Sequence, residues 1–447
     1  MDQQKFFDAG RPRENEAAEG LLPRFGRRRL RYAVRNQVEL QQCSLDELLP
    51  EEHEARIVWQ YVCGLDLAAL HARIQAVEGG PGQAPADPRI LMALWLYATL
   101  RGVGSARELN RLCECHAAYR WLCGGVSMNY HTLSDFRTQH MELLDRLLGE
   151  SVASLMAEGL VTLDRVAQDG MRVRASAGAA SFRRQPTLEE ALAQAEEQLR
   201  QLKQELDADP AASKNRSQAA RQRAAEERAA RIRAALAQLA EVAKAKQPKD
   251  REKARASTTD ADSRVMKMAD GGFRPAYNLQ LATATDSQVI TGVEMTNAGG
   301  DLGQMSPMID QHQQRYDEKP KEALVDGGFA KLDDIDKVEQ GGTTVYAPVR
   351  PPRGSSRDAH TPRPSDTPAV AQWRQRMATD EAKAIYRQRA ATAECVNALA
   401  RNRGLQRFLV RGLQKVKAVA LWYALAHNLM RAVILRAVAV QMVGNDG

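Results

Sequence analysis

Two aspartates stand where a pair of carboxylates could bind divalent metal ions. Asp169 follows the strand-like run 166–168, Asp326 follows the apolar run 323–325, and a glycine comes directly after each acid. A site that transfers phosphoryl groups with two metal ions needs acids from separate elements around cations about 4 Å apart. Acids that close strands point into the crevice where open sheets covered by helices bind ligands. We therefore expect Asp169 and Asp326 to converge, although one Asp-Gly pair by itself is more often a simple turn.

A third acid, Glu394, lies in a predicted helix that spans residues 382–401. Tyr386, Arg389 and Arg401 occupy the same helix, and the steps of three, five and seven residues between these four positions keep roughly one face. If this helix crosses the sheet, Glu394 reaches the metal ions while Arg389 and Arg401 reach phosphate groups. We therefore expect Glu394 to complete a set of three metal-binding carboxylates.

Strand patterns near the second aspartate predict an α/β core. Residues 277–283 and 288–295 are strand-like and flank the polar turn 285–287, which predicts a β-hairpin. Residues 343–347 predict a further strand. The acids would then be positioned by a sheet rather than by a bundle of helices.

The segment 187–246 differs from its surroundings because it is rich in Ala, Glu, Gln, Arg and Leu. Apolar residues recur there in alternating steps of four and three, which predicts coiled-coil helices. The recurring residues are Leu188, Leu192, Ala195, Leu199, Leu202 and Leu206, then Ala225, Ala229, Ile232, Leu236 and Leu239. Pro210 must interrupt the helix, so we expect an antiparallel helical hairpin. Pairing between two subunits would produce the same pattern.

The amino-terminal part of the chain predicts a contact with a polyanion. Residues 1–40 form a basic arm that includes Arg27, Arg28 and Arg29, and residues 41–160 carry short helices at tight turns, as in helix-turn-helix modules. The whole chain contains 63 Lys and Arg residues and 56 Asp and Glu residues, which gives a net charge of +7. This excess favours nucleic acid as a partner, with a merely solvated arm as the alternative.

Other site classes fit the sequence less well. The six cysteines are too few to form a disulfide framework in 447 residues, and Cys113, Cys115, His116 and Cys123 lack the paired spacing of structural zinc sites. Residues 418–443 are long and apolar enough to span a bilayer, but they include His, Asn and two Arg. We expect a buried helix there, and a cytoplasmic protein without a membrane partner.

Several polar residues near the predicted site have simpler explanations. We expect His427 and Asn428 to be a satisfied core pair rather than part of the site. We also expect the other nearby acids to be exposed or to cap helices. These acids are Asp164, Asp260, Asp262, Asp270, Asp301, Asp333 and Asp334.

Three sequence blocks, taken in order, resemble the catalytic blocks of DDE insertion-sequence transposases. The blocks are Gln168-Asp169-Gly170-Met171-Arg172-Val173-Arg174-Ala175, Val325-Asp326-Gly327-Gly328-Phe329, and Tyr386-x-x-Arg389-x-x-x-x-Glu394 with Arg401. The third block looks like the family's Tyr, Arg, Glu and Lys set, with Arg401 where lysine is usual; arginine keeps the charge but meets phosphate with a different geometry. The helical amino-terminal region and the helical insertion also look like these proteins, so the resemblance covers nearly the whole chain.

The resemblance implies a particular domain order. A ribonuclease-H-like core, a mixed sheet with helices, would be formed by residues 161–186 and 258–447. The coiled-coil insertion would occupy residues 187–257 and the helical DNA-binding domain residues 41–160, after the basic arm 1–40.

The resemblance also implies a reaction. The enzyme would hydrolyse phosphodiester bonds at transposon ends to free a 3′ hydroxyl, which would then attack target DNA, with Asp169, Asp326 and Glu394 as catalytic residues and metal ligands. The cofactor would be Mg²⁺, with Mn²⁺ as an alternative, and two ions are expected. The residues expected to contact DNA are Tyr386, Arg389, Arg401, Arg27, Arg28 and Arg29. The expected partners are double-stranded DNA and a second copy of the chain, in the bacterial cytoplasm at the nucleoid, with no small-molecule substrate.

Two other interpretations stay open. The chain could be a catalytically inactive, transposase-derived DNA-binding protein, although the presence of all three acids argues against loss of the chemistry. It could also be an interaction scaffold organised by its coiled coil, which would leave the paired acids unexplained.

Overall fold

The computed structural model describes residues 44–76, 84–208, 216–351 and 358–445. The predicted basic arm, with Arg27, Arg28 and Arg29, lies outside the described residues. The helices are α1 (Glu54–Cys63), α2 (Ala68–His71), α3 (Pro88–Leu100), α4 (Ala106–Cys115), α5 (Ala117–Cys123), α6 (Tyr130–Gln139), α7 (Met141–Ala157), α8 (Gln185–Ala208), α9 (Arg216–Lys244), α10 (Met305–Tyr316), α11 (Leu332–Gln340), α12 (Pro368–Arg376), α13 (Asp380–Arg389), α14 (Cys395–Asn402) and α15 (Leu413–Asn445). The strands are β1 (Arg165–Arg174), β2 (Phe182–Arg183), β3 (Ala256–Ser257), β4 (Arg264–Lys267), β5 (Phe273–Ala284), β6 (Ile290–Thr296), β7 (Glu322–Val325) and β8 (Thr344–Tyr346).

A mixed sheet with β1 at its centre carries the predicted acids. Its strands run in the order β5, β1, β7 and β8, and both β4 and β6 pair with the outer edge of β5. Strand β1 is antiparallel to β5 and parallel to β7, which is parallel to β8. The predicted hairpin is confirmed, because β5 and β6 are antiparallel neighbours across the turn that the sequence indicated. The strands predicted before Asp326 and at residues 343–347 are confirmed as β7 and β8.

Strand β1 is longer than the sequence pattern predicted. It continues for five residues beyond Asp169, because Met171 and Val173 keep their side chains buried and β5 pairs with the whole length of the strand. The parallel pairing with β7 stops one residue before Asp169. The prediction that Asp169 closes a strand is therefore wrong, whereas Asp326 does follow directly after β7.

The amino-terminal helices share one apolar core with the sheet and with α15. Helix α3 begins where Asp87 accepts a hydrogen bond from the backbone N of Arg89 at 2.8 Å, as expected for an Asp-Pro helix start. Helix α15 packs against α3, α6, α7 and β6. Trp422 on α15 donates its Nε1 hydrogen to the carbonyl of Arg137 at 3.0 Å, which joins the last helix to α6. A second apolar cluster packs β7 and β8 against α10, α11, α12 and α13.

Helices α8 and α9 pack on each other within one chain. Their facing apolar residues form a separate cluster that includes Leu188, Ala195, Ala229 and Ile232. Outside this cluster, a 2.7 Å ion pair between Glu196 and Arg233 joins the two helices. In this structure the apolar residues of the coiled-coil pattern therefore pack α8 against α9 of the same chain. Pro210 lies outside the described residues.

One described helical segment, Leu413–Met442, is long and apolar enough to cross a membrane by length and composition alone. Of its most apolar window, 72% is buried inside the protein, as in the core helix of a soluble protein. Its later turns expose Val438, Val440 and Met442. The prediction of a buried helix is confirmed for the first part of α15.

Candidate active site

Asp169 and Asp326 lie at the same level on neighbouring strands. Gln168 of β1 and Val325 of β7 are partners in the parallel register, and each acid is the next residue in its chain segment. Adjacent strands are about 4.8 Å apart, which places the two acids beside each other. Asp326 Oδ1 accepts a hydrogen bond from the backbone N of Gly328 at 2.6 Å, so the turn after β7 fixes this carboxylate. The structure thus brings together the two acids that the sequence singled out.

Glu394 is joined to this pair through an arginine. The guanidinium of Arg389 places Nη2 3.1 Å from Asp169 Oδ1 and Nη1 2.9 Å from Glu394 Oε1. Arg389 is 8% exposed, whereas the side chain of Glu394 is 58% exposed. Arg389 therefore lies between two of the predicted metal ligands and is not a freely exposed cation.

The helix that carries Glu394 is not one continuous α-helix, as the sequence predicted for residues 382–401. Helix α13 ends at Arg389, a π-helical turn spans Ala390–Glu394, and α14 begins at Cys395. A π turn contains more residues than an α turn and often occurs at functional sites. Here it sets the direction in which Glu394 points.

Asn397 is a contact of Asp169 that the sequence reasoning missed. Its Nδ2 donates to Asp169 Oδ2 at 2.9 Å, and its Oδ1 is buried without a hydrogen-bond partner in the described part of the chain. A buried amide oxygen without a partner is uncommon and indicates room for a ligand such as water or a cation. A signal was present, because Asn397 stands three residues after Glu394 and so shares its helix face.

Burial and neighbouring charges shift the pKa values of Asp169, Arg389 and Tyr386. Burial raises the pKa of Asp169, the charge of Arg389 opposes that effect, and the charge of Asp326 adds to it. Burial disfavours the charged form of Arg389, but Asp169, Tyr386, Asp326 and Glu394 together raise its pKa. Burial also raises the pKa of Tyr386, whose charged neighbours are Arg389, Asp326 and Glu394. The buried guanidinium of Arg389 is therefore the positive centre of a group of acids that are themselves partly or largely exposed.

The side chains of this cluster fit a hard divalent cation by their chemistry. Asp169, Asp326 and Glu394 offer carboxylate oxygens and Asn397 offers its unpartnered amide oxygen, the ligand types that Mg²⁺ prefers. Across residues 44–76, 84–208, 216–351 and 358–445, no group of three or more His, Cys, Asp or Glu is close enough to hold a metal ion. The guanidinium of Arg389 separates Asp169 from Glu394, so a cation shared by these two acids would have to replace it.

Asp301 is neither exposed nor a helix cap, so that prediction is wrong. Its carboxylate is buried in the loop between β6 and α10. It accepts hydrogen bonds from Asn278 Nδ2 and Gln280 Nε2, both at 2.7 Å, and forms a 2.8 Å ion pair with Arg172. A loop residue has no periodic pattern, so no sequence signal marked Asp301.

Two other acids cap helices, as predicted. Asp334 accepts hydrogen bonds at 3.2 Å from the first two backbone N–H groups of α10, and Asp262 accepts one at 2.9 Å from Leu413 at the start of α15.

His427 and Asn428 are the core pair that the sequence predicted. They form hydrogen bonds with the backbone of Gln288 and Ile290 and so hold the β5–β6 turn.

A basic groove of about 650 Å³ opens beside Gly170. The basic residues along it are Arg172, Arg174, Lys267, Arg274 and Arg401. Arg172 is paired with Asp301 and Arg274 with Asp270, the latter at 2.7 Å. Arg174, Lys267 and Arg401 are exposed and have no ion pair within the described ranges. Arg401 thus lies apart from the Arg389 pairing, on the wall of a positively charged groove.

Comparison with protein families gives two matches. Residues 43–139 match a family described as "Transposase domain (DUF772)", and residues 352–433 match a family described as "Transposase DDE domain". The second range includes Arg389, Glu394 and Asn397. No curated protein and no solved structure matches the chain.

Proposed function

The two family matches support an insertion-sequence DDE transposase, and from this premise we propose that the chain hydrolyses phosphodiester bonds at transposon ends to free a 3′ hydroxyl. This hydroxyl then attacks a phosphodiester bond of target DNA, which joins the transposon end to the target phosphate and releases the target's own 3′ oxygen. The observation that carries the proposal is the position of Asp169 and Asp326 at one level on adjacent parallel strands. Glu394 is linked to the same centre through Arg389. Separate elements thus supply acids to one place, as two-metal phosphoryl transfer requires.

The sheet topology favours a ribonuclease-H-like core for this chemistry. Strands β6, β5 and β1 are successive antiparallel neighbours, and β7 and β8 extend the sheet in parallel with β1. We propose that residues 161–186 and 258–447 form this core and that residues 187–257 are a coiled-coil insertion. The helical region 41–160 is proposed to bind DNA.

Asp169, Asp326 and Glu394 are proposed to hold two Mg²⁺ ions, with Mn²⁺ as an alternative. Bound ions of this kind activate the attacking oxygen and stabilise the leaving oxygen. Asn397 orients Asp169 through its 2.9 Å hydrogen bond, and Arg389 neutralises Asp169 and Glu394 until a cation takes its place. The charge of Arg389 thereby offsets the repulsion between these carboxylates before metal binds.

The DNA is proposed to enter along the basic groove. Arg174, Lys267 and Arg401 are exposed there and free of ion pairs among the described residues, so their charges are available to phosphates. We propose that DNA is also contacted by the basic-arm residues Arg27, Arg28 and Arg29 and by Tyr386 and Arg389. A homodimer is proposed because two transposon ends need two active sites, and a cytoplasmic location follows from the DNA substrate.

An Asp326→Asn substitution tests the enzyme proposal. It keeps the size of the side chain but removes one metal-binding charge, so we expect folding and DNA binding to persist while Mg²⁺-dependent cleavage of an end-sequence duplex falls by roughly 10³-fold or more. Asp333→Asn is the matched control, because that side chain is 88% exposed. Cleavage that survives Asp326→Asn at the level of the control would refute the catalytic assignment and favour the inactive DNA-binding alternative.

A further inference from the structure

Asp301 lies against the backbone that follows both catalytic aspartates. A Cβ atom built on Gly170 would overlap Asp301 Oδ1 and lie 2.8 Å from Asp301 Cγ and 2.5 Å from Gln280 Nε2. A Cβ atom on Gly328 would lie 3.6 Å from Asp301 Oδ2 and 2.7 Å from Asp326 Oδ1. Real Cβ atoms essentially never come within 3.0 Å of such groups, so the absence of a side chain at Gly170 is what admits Asp301.

The hydrogen bonds of Asp301 fix its two oxygens in different directions. Oδ1 accepts from the amides of Asn278 and Gln280, two residues of β5, and Oδ2 accepts from Arg172 of β1. Arg172 also donates to the carbonyl of Gly170 at 3.3 Å. Asp301 is therefore held to both β1 and β5, on either side of the strand pairing that supports Asp169.

A buried charge at this position is not explained by sheet stability alone. Asp301 is 7% exposed, and a buried carboxylate costs free energy unless charged and hydrogen-bonding partners offset the loss of water. A neutral side chain could accept the amide hydrogen bonds without that cost. What the charge adds is an ion pair that fixes Arg172, and Arg172 in turn holds the carbonyl of Gly170, the residue next to Asp169.

We infer that Asp301 is a positioning residue for the metal site, acting through Gly170, Gly328 and Arg172 to hold Asp169 and Asp326 in the arrangement that binds divalent ions. The inference rests on the proposed function. Residues that orient metal ligands in this way typically contribute 10- to 100-fold to metal affinity, which is about the effect we expect here.

Binding of Mn²⁺ alone, measured by titration calorimetry without DNA, tests the role of Asp301. In Asp301→Asn the new amide can keep the contacts to Asn278 and Gln280 but turns a donor toward Arg172, so Mn²⁺ affinity should fall by roughly 10-fold or more. Asp366→Asn is the matched control, because Asp366 and Arg374 form another buried ion pair, at 2.7 Å, outside the acid cluster. The control should lose stability but keep its Mn²⁺ affinity.

The possible results separate the two proposals. Unchanged Mn²⁺ affinity in Asp301→Asn, together with lost binding in Asp326→Asn, would overturn the role of Asp301 and leave the proposed function intact. Mn²⁺ binding that survives Asp326→Asn would instead overturn the proposed function, and the inference with it.

A second pair of variants tests the role of Asp301 even if Asp301→Asn does not fold. Gly170→Ala should destabilise the protein by forcing Asp301 and Gln280 away, and adding Asp301→Ser should restore part of the stability because serine removes the overlapping carboxylate and leaves only the Gln280 amide to shift. Mn²⁺ affinity should stay low in the double variant, since the buried charge is gone. Recovery of Mn²⁺ affinity along with stability would show that Asp301 is only a packing neighbour of Gly170.

Discussion

Arg389 and Glu394 are five residues apart and still form an ion pair, with 2.9 Å between Nη1 and Oε1. In an α-helix, with 3.6 residues per turn, residues five apart point about 140° away from each other. The π-helical turn Ala390–Glu394 removes most of this difference, because its hydrogen bonds join residues five apart. The third acid therefore faces the sheet because of a local departure from α-helical geometry.

Deleting Ala391 should convert the π turn into an α turn. Glu394 would then stand four residues after Arg389, about 40° from it around an α-helix, so the ion pair can persist and we expect Mg²⁺-dependent cleavage to be retained within roughly 10-fold, with DNA binding unchanged. Cleavage of an end-sequence duplex and binding in EDTA measure the two effects. Ala391→Ser keeps the length of the turn and serves as the control. A fall of roughly 100-fold or more in the deletion variant would show that facing Arg389 is not enough to place Glu394 and that the π turn itself is required.

Removing the charge of Arg389 should destabilise the metal-free protein. Arg389→Leu leaves the carboxylate of Asp169, which is 17% exposed, without its counter-charge, so we expect a loss of roughly 3 kcal/mol in the free energy of unfolding. Added Mg²⁺ should recover part of this loss, because a bound cation stabilises the folded state. Urea denaturation in EDTA and in Mg²⁺ measures both. Arg387→Leu, an exposed change on the same helix, is the control; an equal loss with and without Mg²⁺ would contradict the proposed exchange of guanidinium for metal.

Two buried histidines should make the protein sensitive to mild acid. Burial lowers the pKa of both His312 and His427 to about 4, from an ordinary value of 6.5. The unfolded chain therefore binds more protons than the folded one in this range, so stability is fully present above pH 6.5 and falls as the pH drops toward 4. Each histidine should remove about 1.4 kcal/mol per pH unit in this window.

The free energy of unfolding, followed by urea denaturation across that pH window, checks this expectation. Replacing both residues by glutamine should make the decline shallower, whereas His71→Gln should not, because the side chain of His71 is 41% exposed. An identical slope in the double variant and the unsubstituted protein would show that these histidines are not the source of acid sensitivity.

The basic groove should contribute to the salt dependence of DNA binding. Arg174→Glu with Lys267→Glu should weaken binding to duplex DNA, and each lost phosphate contact should reduce the slope of log affinity against log salt by about 0.9. Fluorescence anisotropy in EDTA measures this without cleavage. Arg223→Glu with Lys246→Glu makes the same change in charge on exposed residues of and just after α9. Equal effects of the two pairs would mean that only net charge matters.

Local sequence patterns were sufficient where neighbouring residues determine the structure. The Asp-Pro start of α3, the polar turn between β5 and β6 and the short strand before Asp326 each depend on contacts within a few residues. Hydrophobic periodicity likewise indicated the two helices of the insertion. The residue types of the three blocks also predicted which acids form the site, namely Asp169, Asp326 and Glu394.

Sequence by itself determined the β5–β6 hairpin, the strands β7 and β8, the start of α3 and the two helices of the insertion, together with the chemical types and the order of Asp169, Asp326 and Glu394. Only the tertiary structure decided that β1 continues past Asp169, that Arg389 lies between two acids, and that Asp301 lies under Gly170. The physical reason is distance along the chain. These features depend on packing between segments that are remote in sequence, such as β1 with the β6–α10 loop and with α13, and no local pattern of apolar or polar residues encodes which partner such a segment will meet.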